Sequence, residues 1–146
     1  MSEVLTLRIP AESANEVRQI ARRERRSVSE VAARMVEEWL RQNRFAQIEF
    51  RAFNGERHAC IKGRLQVWQV ILIARGYEMD ARKTADHLEL TLEQVENAFQ
   101  YYQAYPQEID QALAENRVGY ERLKQVFPQM ERVTVVLEDT ESELKA

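Results

Sequence analysis

The sequence predicts a mainly α fold with a small amount of β structure. The clearest helical pattern lies in residues 28–40, where apolar side chains recur at three- and four-residue spacing. Residues 4–9 alternate between apolar and more polar side chains, as a half-buried strand does. The dipeptide Asn54-Gly55 is typical of a tight hairpin turn. These patterns predict helices joined by short turns, one isolated strand and one β-hairpin.

Composition limits the class of protein. The 146 residues, of which 45% are hydrophobic and 31% charged, predict a globular chain of one domain or two small ones. The single cysteine, Cys60, excludes an internal disulfide framework and fits a reducing compartment. We find no secretory signal pattern and no uninterrupted apolar run of about 18 residues. We therefore expect a cytoplasmic protein without a membrane partner.

Charge is uneven along the chain, whose net charge is −3. Residues 1–45 carry nine Lys and Arg against seven Asp and Glu, a net charge of +2. Residues 46–116 carry seven against eleven, or −4, and residues 117–146 carry five against six, or −1. The amino-terminal segment is therefore the one whose charge suits a phosphate backbone.

The amino-terminal segment is predicted to form a strand and two helices. Pro10 lacks a backbone N–H, so the strand should end there and a helix should begin. Ser27 and Glu30 form a capping box, which predicts that a second helix starts at Val28. The inward face of the strand comprises Leu5, Leu7 and Ile9, and the outward face comprises Val4, Thr6 and Arg8.

Such a unit needs a second copy of itself. One short strand leaves two edges unpaired, and about 45 residues bury little apolar surface alone. Two copies can pair their strands antiparallel, which packs the inward faces on four helices and leaves the outward faces accessible. This arrangement resembles the ribbon-helix-helix family of dimeric DNA-binding proteins over residues 3–44. The dimer core expected on this basis is Leu5, Leu7, Ile9, Val31, Met35 and Trp39.

The resemblance also implies a DNA-binding surface. In that family the outward strand residues enter the major groove, and the amino end of the second helix holds a phosphate. The family often has glycine where this chain has Arg25, so the turn needs a positive φ at an arginine or another conformation. By position, the base readers are Val4, Thr6 and Arg8, and the phosphate clamp is Ser27, Val28 and Ser29.

The residue chemistry supports DNA binding independently. Arginine can make two hydrogen bonds to guanine, threonine can contact thymine, and a two-stranded ribbon fits the major groove. A helix amino terminus at Ser27 favours an anion. The alternative is that the nearby arginines form only a solvated face and the strand only a dimer seam. The arginines that bracket the end of the first helix, beside this amino terminus, are Arg22, Arg23, Arg25 and Arg26.

A second unit opens with the Asn54-Gly55 hairpin. Residues 65–76 are apolar nearly all round the helix, which predicts a central helix capped by Gly76. Asp80 should cap the next helix, and Thr91 with Gln94 should cap the one after. This order is a helix-turn-helix. A further helix is predicted from Pro106.

Residues 48–116 are similar to a small winged helix-turn-helix family, once a domain of unknown function. That family supplies antitoxins of the VapB kind, encoded beside toxins with PIN-like nuclease folds. The resemblance implies a type II antitoxin that binds operator DNA as a dimer, regulates its own promoter and neutralises a PIN-like ribonuclease. It is carried by Cys60-Ile61-Lys62-Gly63-Arg64, Val67-Trp68, Gly76, Leu90-Thr91-Leu92-Glu93-Gln94-Val95, Ala98, Tyr102 and Tyr105.

Three domains are therefore expected: a ribbon-helix-helix module (1–45), the winged helix-turn-helix-like antitoxin domain (46–116) and a toxin-contacting segment (117–146). The second helix of the helix-turn-helix exposes no Lys or Arg, which favours a protein or dimer contact over a second DNA-reading element. Its exposed residues are expected to be Glu93, Gln94, Glu96, Asn97, Gln100 and Gln103.

The last segment combines helical spacing with a strand-like run at residues 133–137. That run can pair with the hairpin near residues 48–50 or add to the sheet of another protein. Because an acidic toxin site would repel an acidic tail, we expect apolar docking with an arginine that reaches the toxin's carboxylates. The expected toxin contacts are Tyr120, Arg122, Leu123, Phe127, Arg132 and Val135.

Catalysis has little support in the sequence. His58 and His87 lie in different elements, and no motif around Cys60 would activate a thiol. We therefore expect no enzyme activity, catalytic residue, metal or cofactor. The alternative to an antitoxin is a free-standing dimeric transcriptional repressor whose second domain senses a ligand or forms higher oligomers. A PIN-like reading frame beside this gene would favour the antitoxin.

Overall fold

A computed structural model describes residues 1–126, with only the backbone described at residues 118–124 and 126. The mainly helical class and the small antiparallel hairpin are confirmed. The chain divides into two compact units, Met1–Arg41 and Gln42 onward. The described elements are α1 (Ala11–Glu24), α2 (Val28–Arg44), β1 (Ile48–Phe53), β2 (Glu56–Ile61), α3 (Val67–Gly76), α4 (Ala81–Leu88), α5 (Leu92–Ala104) and α6 (Pro106–Val126).

The first unit contains α1 and the greater part of α2. As predicted, α1 begins directly after Pro10, whose carbonyl accepts the Ala14 N–H at 3.0 Å. Residues 1–10 form no strand in this structure, which holds one chain. A strand is defined by hydrogen bonds to a neighbouring strand, so the predicted strand at residues 4–9 is not found in the single chain. Its pairing with a second copy stays a prediction.

The predicted hairpin is confirmed. β1 and β2 pair antiparallel, with Ile48 opposite Ile61 and Phe53 opposite Glu56. The two turn residues both have positive φ, 52° at Asn54 and 82° at Gly55. Those values suit a type I′ turn, whose twist matches that of the flanking strands. The asparagine and glycine therefore set the register of the hairpin.

The core of the second unit surrounds α3, as its apolar sequence predicted. Val67, Val70, Ile71 and Ala74 are all fully buried. They belong to a cluster that also contains residues from both strands and from α4, α5 and α6. A helix that is apolar nearly all round needs partners on several sides, and this packing supplies them.

Tyr101 joins α5 to the hairpin and to α6. Its ring is fully buried and lies edge-on to Phe45 and Phe50, with centroid distances of 5.3 and 6.3 Å. The hydroxyl donates a hydrogen bond to the Glu108 carboxylate at 2.5 Å. A buried tyrosine needs a polar partner at its tip, and Glu108 at the start of α6 provides it.

The helix-turn-helix has the predicted capping residues. The Asp80 carboxylate accepts the Lys83 N–H at 2.9 Å. Thr91 and Gln94 exchange hydrogen bonds of 2.9 and 3.1 Å between side chain and backbone, which completes the predicted capping box. The two helices are joined through Glu89, which has a left-handed conformation.

Two details of the second unit differ from prediction or extend it. α3 ends at Gly76, as predicted, but the capping role expected of Gly76 is wrong, because the left-handed positions are Glu78 and Met79. Tyr77 is buried between Gly76 and these two residues, so the chain reverses only after that side chain is packed.

α6 runs unbroken across residue 116, where the expected third segment begins. In residues 1–126, no helix has both the length and the apolar character needed to cross a membrane.

Candidate nucleic-acid interface

The turn between α1 and α2 is closed by a left-handed arginine. Arg25 has φ 55° and ψ 43°, so the chain takes the positive φ that the sequence left open. The Arg26 N–H donates to the Ala21 carbonyl at 3.0 Å, and the Arg25 N–H donates to the Arg22 carbonyl at 3.3 Å. This pair of hydrogen bonds is a Schellman motif, which usually has glycine at the left-handed position.

The start of α2 follows within two residues of this turn. The Ser27 hydroxyl accepts the Glu30 N–H at 3.1 Å, which is the serine half of the predicted capping box. The first N–H groups of a helix lack acceptors within it, which leaves partial positive charge at this end. Ser27, Val28 and Ser29 are all exposed. The predicted phosphate clamp is therefore accessible at the start of α2.

The arginines around the turn present an open positive surface, here called the arginine cluster and comprising Arg22, Arg23, Arg25 and Arg26. All four side chains are exposed. Within the described residues, none of them has an ion pair or a side-chain hydrogen bond. The nearest acid along the chain, Glu24, is paired with Arg34, which also lies 3.7 Å from Glu38. The positive charge of the arginine cluster is therefore not neutralised within the described residues.

The predicted base readers lie in the segment before α1. Val4, Thr6 and Arg8 are exposed, as are the apolar residues between them. In the single chain, no described hydrogen bond or ion pair involves the Arg8 side chain. The structure thus places these three residues in one accessible segment, while a groove-reading ribbon requires a second copy.

The expected dimer core is only partly buried in one chain. Val31 is fully buried, and Met35 is half-buried. Trp39 is 64% exposed and Leu5 is 76% exposed, although large apolar side chains are normally covered. Val36 and Leu40, which belong to the same helical periodicity, are exposed as well. The apolar surface left open comprises Leu5, Leu7, Ile9, Val36, Trp39 and Leu40.

The exposed face of α5 offers little to DNA. Glu93, Glu96, Gln100 and Gln103 are exposed, as predicted. Two other expected residues already have partners. Gln94 completes the capping box, and the Asn97 side chain accepts the Gln47 N–H at 2.8 Å. The remaining face is acidic and amidic, so it does not attract a phosphate backbone.

Arg64 contacts the carboxyl end of α4, a role that sequence analysis did not assign to it. Its guanidinium donates to the carbonyls of Leu88 and Glu89 at 2.8 and 3.1 Å. Those carbonyls lie at the end of α4, where a cation is favoured and acceptors lack partners within the helix. Arg64 precedes α3 by three residues and follows β2, and no local pattern indicates a contact with α4.

The cysteine and the two histidines, which were considered for catalysis or metal binding, contribute to packing. Cys60 is fully buried in β2, and burial raises the pKa of its thiol, partly offset by Arg51. A protonated, buried thiol is a poor nucleophile. His58 lies 5.9 Å from the Phe53 ring, and the His87 ring accepts or donates a 2.8 Å hydrogen bond with Tyr77. The described residues contain no group of three or more His, Cys, Asp or Glu suited to a metal ion.

The expected toxin contacts lie at or beyond the end of the described chain. Tyr120, Arg122 and Leu123 belong to α6, for which the backbone is described at those positions. Phe127, Arg132, Val135 and the strand-like run at residues 133–137 lie outside the described residues.

Comparison with known proteins gives no match to a family model, a curated protein or a solved structure. Functional inference for this chain therefore rests on its own residues and on the two sequence resemblances.

Replacing Arg25 with glycine should stabilise the first unit, because glycine adopts the left-handed conformation without the cost that a Cβ brings. We expect the free energy of unfolding to rise by about 1 kcal/mol in a urea titration followed by circular dichroism. Arg22→Gly is the matched control. It lies in the last turn of α1, where glycine should lower that free energy by about 0.5 to 1 kcal/mol. Equal losses in both variants would contradict the left-handed turn.

Proposed function

We propose that residues 1–44 form a homodimeric DNA-binding module. The observation that carries this proposal is the arginine cluster, exposed and without ion pairs within the described chain, beside the capped start of α2. Helix amino termini bind phosphates through backbone N–H groups, and arginines pair with phosphate through two hydrogen bonds. Both features occur within residues 22–29, and phosphate contacts of this kind fix the position of a protein on a duplex.

The open apolar surface supports the dimer. Fully burying one side chain such as Leu7 is worth about 1.5 to 3 kcal/mol. A second copy supplies both an apolar cover for Leu5, Leu7 and Ile9 and a strand partner for residues 4–9. Such a ribbon directs Val4, Thr6 and Arg8 away from the helices, where they can read base edges in the major groove.

We further propose that the protein is a type II antitoxin that represses its own promoter and neutralises a PIN-like ribonuclease. The resemblance of residues 48–116 to the winged helix-turn-helix antitoxin family is the basis of this step. The exposed face of α5 adds support, because its carboxylates and amides suit a protein partner better than DNA. In this proposal the first unit binds DNA and residues 117–146 contact the toxin.

A free-standing repressor is the second candidate function. One observation favours it, a cleft of about 550 Å³ between α3 and α6. Its wall includes Leu72, Leu113 and the ion pair of Arg75 with Asp110, whose charged atoms are 3.1 Å apart. Small-molecule sites have volumes of roughly 300 to 1,000 Å³ and combine apolar walls with a few polar groups. In this alternative the second unit senses a ligand.

Removing a base reader and removing a phosphate contact should have different effects on DNA binding. Arg8→Ala should weaken binding to the promoter of its own gene by about 1 to 3 kcal/mol and relax the preference at one base pair. Arg22→Ala should weaken binding to all sequences alike and reduce the salt dependence by about one counterion. Fluorescence anisotropy at several salt concentrations measures both effects.

Arg18→Ala is the matched control, because Arg18 lies one turn before Arg22 on α1 and its guanidinium contacts Asn15. It should bind promoter DNA as the wild type does. If Arg8→Ala and Thr6→Ala also bind that DNA like the wild type, the amino-terminal segment is not the reader.

Truncation after Asn116 should separate the two proposed activities. The last described α6 side chain packed on the core is Leu113, so the truncated chain keeps that packing. We expect promoter binding to stay nearly unchanged, while neutralisation of the PIN-like ribonuclease encoded beside the gene is lost. The readouts are anisotropy and growth of cells that co-express the ribonuclease. Co-purification of the truncated chain with an inhibited toxin would move the contact to the helix-turn-helix unit.

A further inference from the structure

A second cavity lies between the hairpin turn, the start of α3 and α6. Its volume is about 360 Å³, and it opens to solvent. It belongs entirely to the second unit, so it is distinct from the arginine cluster. The lining residues are Phe53, Asn54, Glu56, His58, Gln66, Trp68, Ala112, Glu115 and Asn116.

Aromatic side chains form part of this cavity wall, and their positions are fixed. The Trp68 indole N–H donates to the Gln66 side chain at 2.6 Å. The rings of Phe53 and His58 meet edge to face at 5.9 Å. Arg51, on the same strand as Phe53, places its guanidinium carbon 5.5 Å from the centre of that ring. Phe53 therefore already contacts one guanidinium within the chain, and tryptophan is the aromatic residue that attracts cations best.

The charged groups of the cavity are acidic. Glu56 and Glu115 line it, and both are exposed. One Glu115 oxygen accepts a hydrogen bond from the neutral Gln111 amide at 2.9 Å, which leaves its charge unbalanced. A Glu56 oxygen lies 3.6 Å from His58, which neutralises it only when the imidazole is protonated. No Lys or Arg is among the described lining residues.

We propose that this cavity binds the side chain of an arginine from a protein partner. The guanidinium is planar, so it stacks on Phe53 or Trp68 while its edge donates to carboxylate oxygens. A lysine ammonium is more strongly hydrated and lacks the flat face. The amide oxygens of Asn54 and Asn116 supply further acceptors. The lining residues all belong to the second unit, whereas the proposed DNA-binding residues belong to the first.

The test uses the full chain and N-acetyl-arginine methylamide as the probe, followed through the two tryptophan indole N–H signals in a proton-nitrogen NMR spectrum. Trp68 lies in the cavity and Trp39 lies in the first unit, so Trp39 is an internal control. A Trp39→Phe variant assigns the two signals. The Trp68 signal should shift with saturation at millimolar probe, while the Trp39 signal stays. The uncharged citrulline analogue should cause no saturable shift.

Variants that neutralise carboxylates test whether Glu56 and Glu115 bind the probe. The double variant Glu56→Gln with Glu115→Gln should bind the probe about fivefold more weakly, as expected for two exposed ion pairs. The matched control, Glu93→Gln with Glu96→Gln on the exposed face of α5, removes the same charge and should keep the wild-type affinity. N-acetyl-arginine, whose free carboxylate cancels the charge of the guanidinium, should bind more weakly than the capped probe. The proposal is overturned by equal shifts with citrulline, by equal losses in both double variants, or by tighter binding of N-acetyl-arginine.

Discussion

The apolar surface that one chain leaves open in the first unit governs the proposed activity of that unit. Trp39, Leu5 and Leu7 have more than half of their surface in solvent in the single chain. A strand at residues 4–9 forms its backbone hydrogen bonds only with a neighbouring strand. Leu5 and Leu7 become buried only when another apolar surface packs on them. A second copy satisfies both needs together. The proposed role of Thr6 and Arg8 as base readers therefore depends on dimerisation.

Two left-handed turns of the same conformation perform different tasks in the two units. Arg25 and Glu89 both have φ 55° and ψ 43°. After Glu89 the chain returns Leu90 to the core, where its N–H donates to the Ala85 carbonyl at 3.0 Å. After Arg25 the chain instead reaches the exposed start of α2, which the four arginines of the cluster precede. The same backbone geometry thus closes a core in one unit and presents cations in the other.

Sequence analysis succeeded where the controlling interactions are local. The Asn54-Gly55 turn and the Thr91 capping box each depend on a few neighbouring residues, and both were found as predicted. Non-local features escaped it. Arg64 contacts two residues at the end of α4 that follow it in the chain by 24 and 25 positions, and no periodic pattern encodes this contact. Gly76 was misassigned because burial of Tyr77 delays the chain reversal, which only the packed structure reveals.

Dimerisation through the first unit is the central claim, and sedimentation velocity of the full chain tests it most directly. The wild type should sediment as a dimer at micromolar concentration. Leu7→Asp, which places a charge in the proposed interface, should sediment as a monomer while the second unit stays folded. A wild-type chain that is folded and monomeric at micromolar concentration, with the same sedimentation coefficient as Leu7→Asp, would contradict the claim.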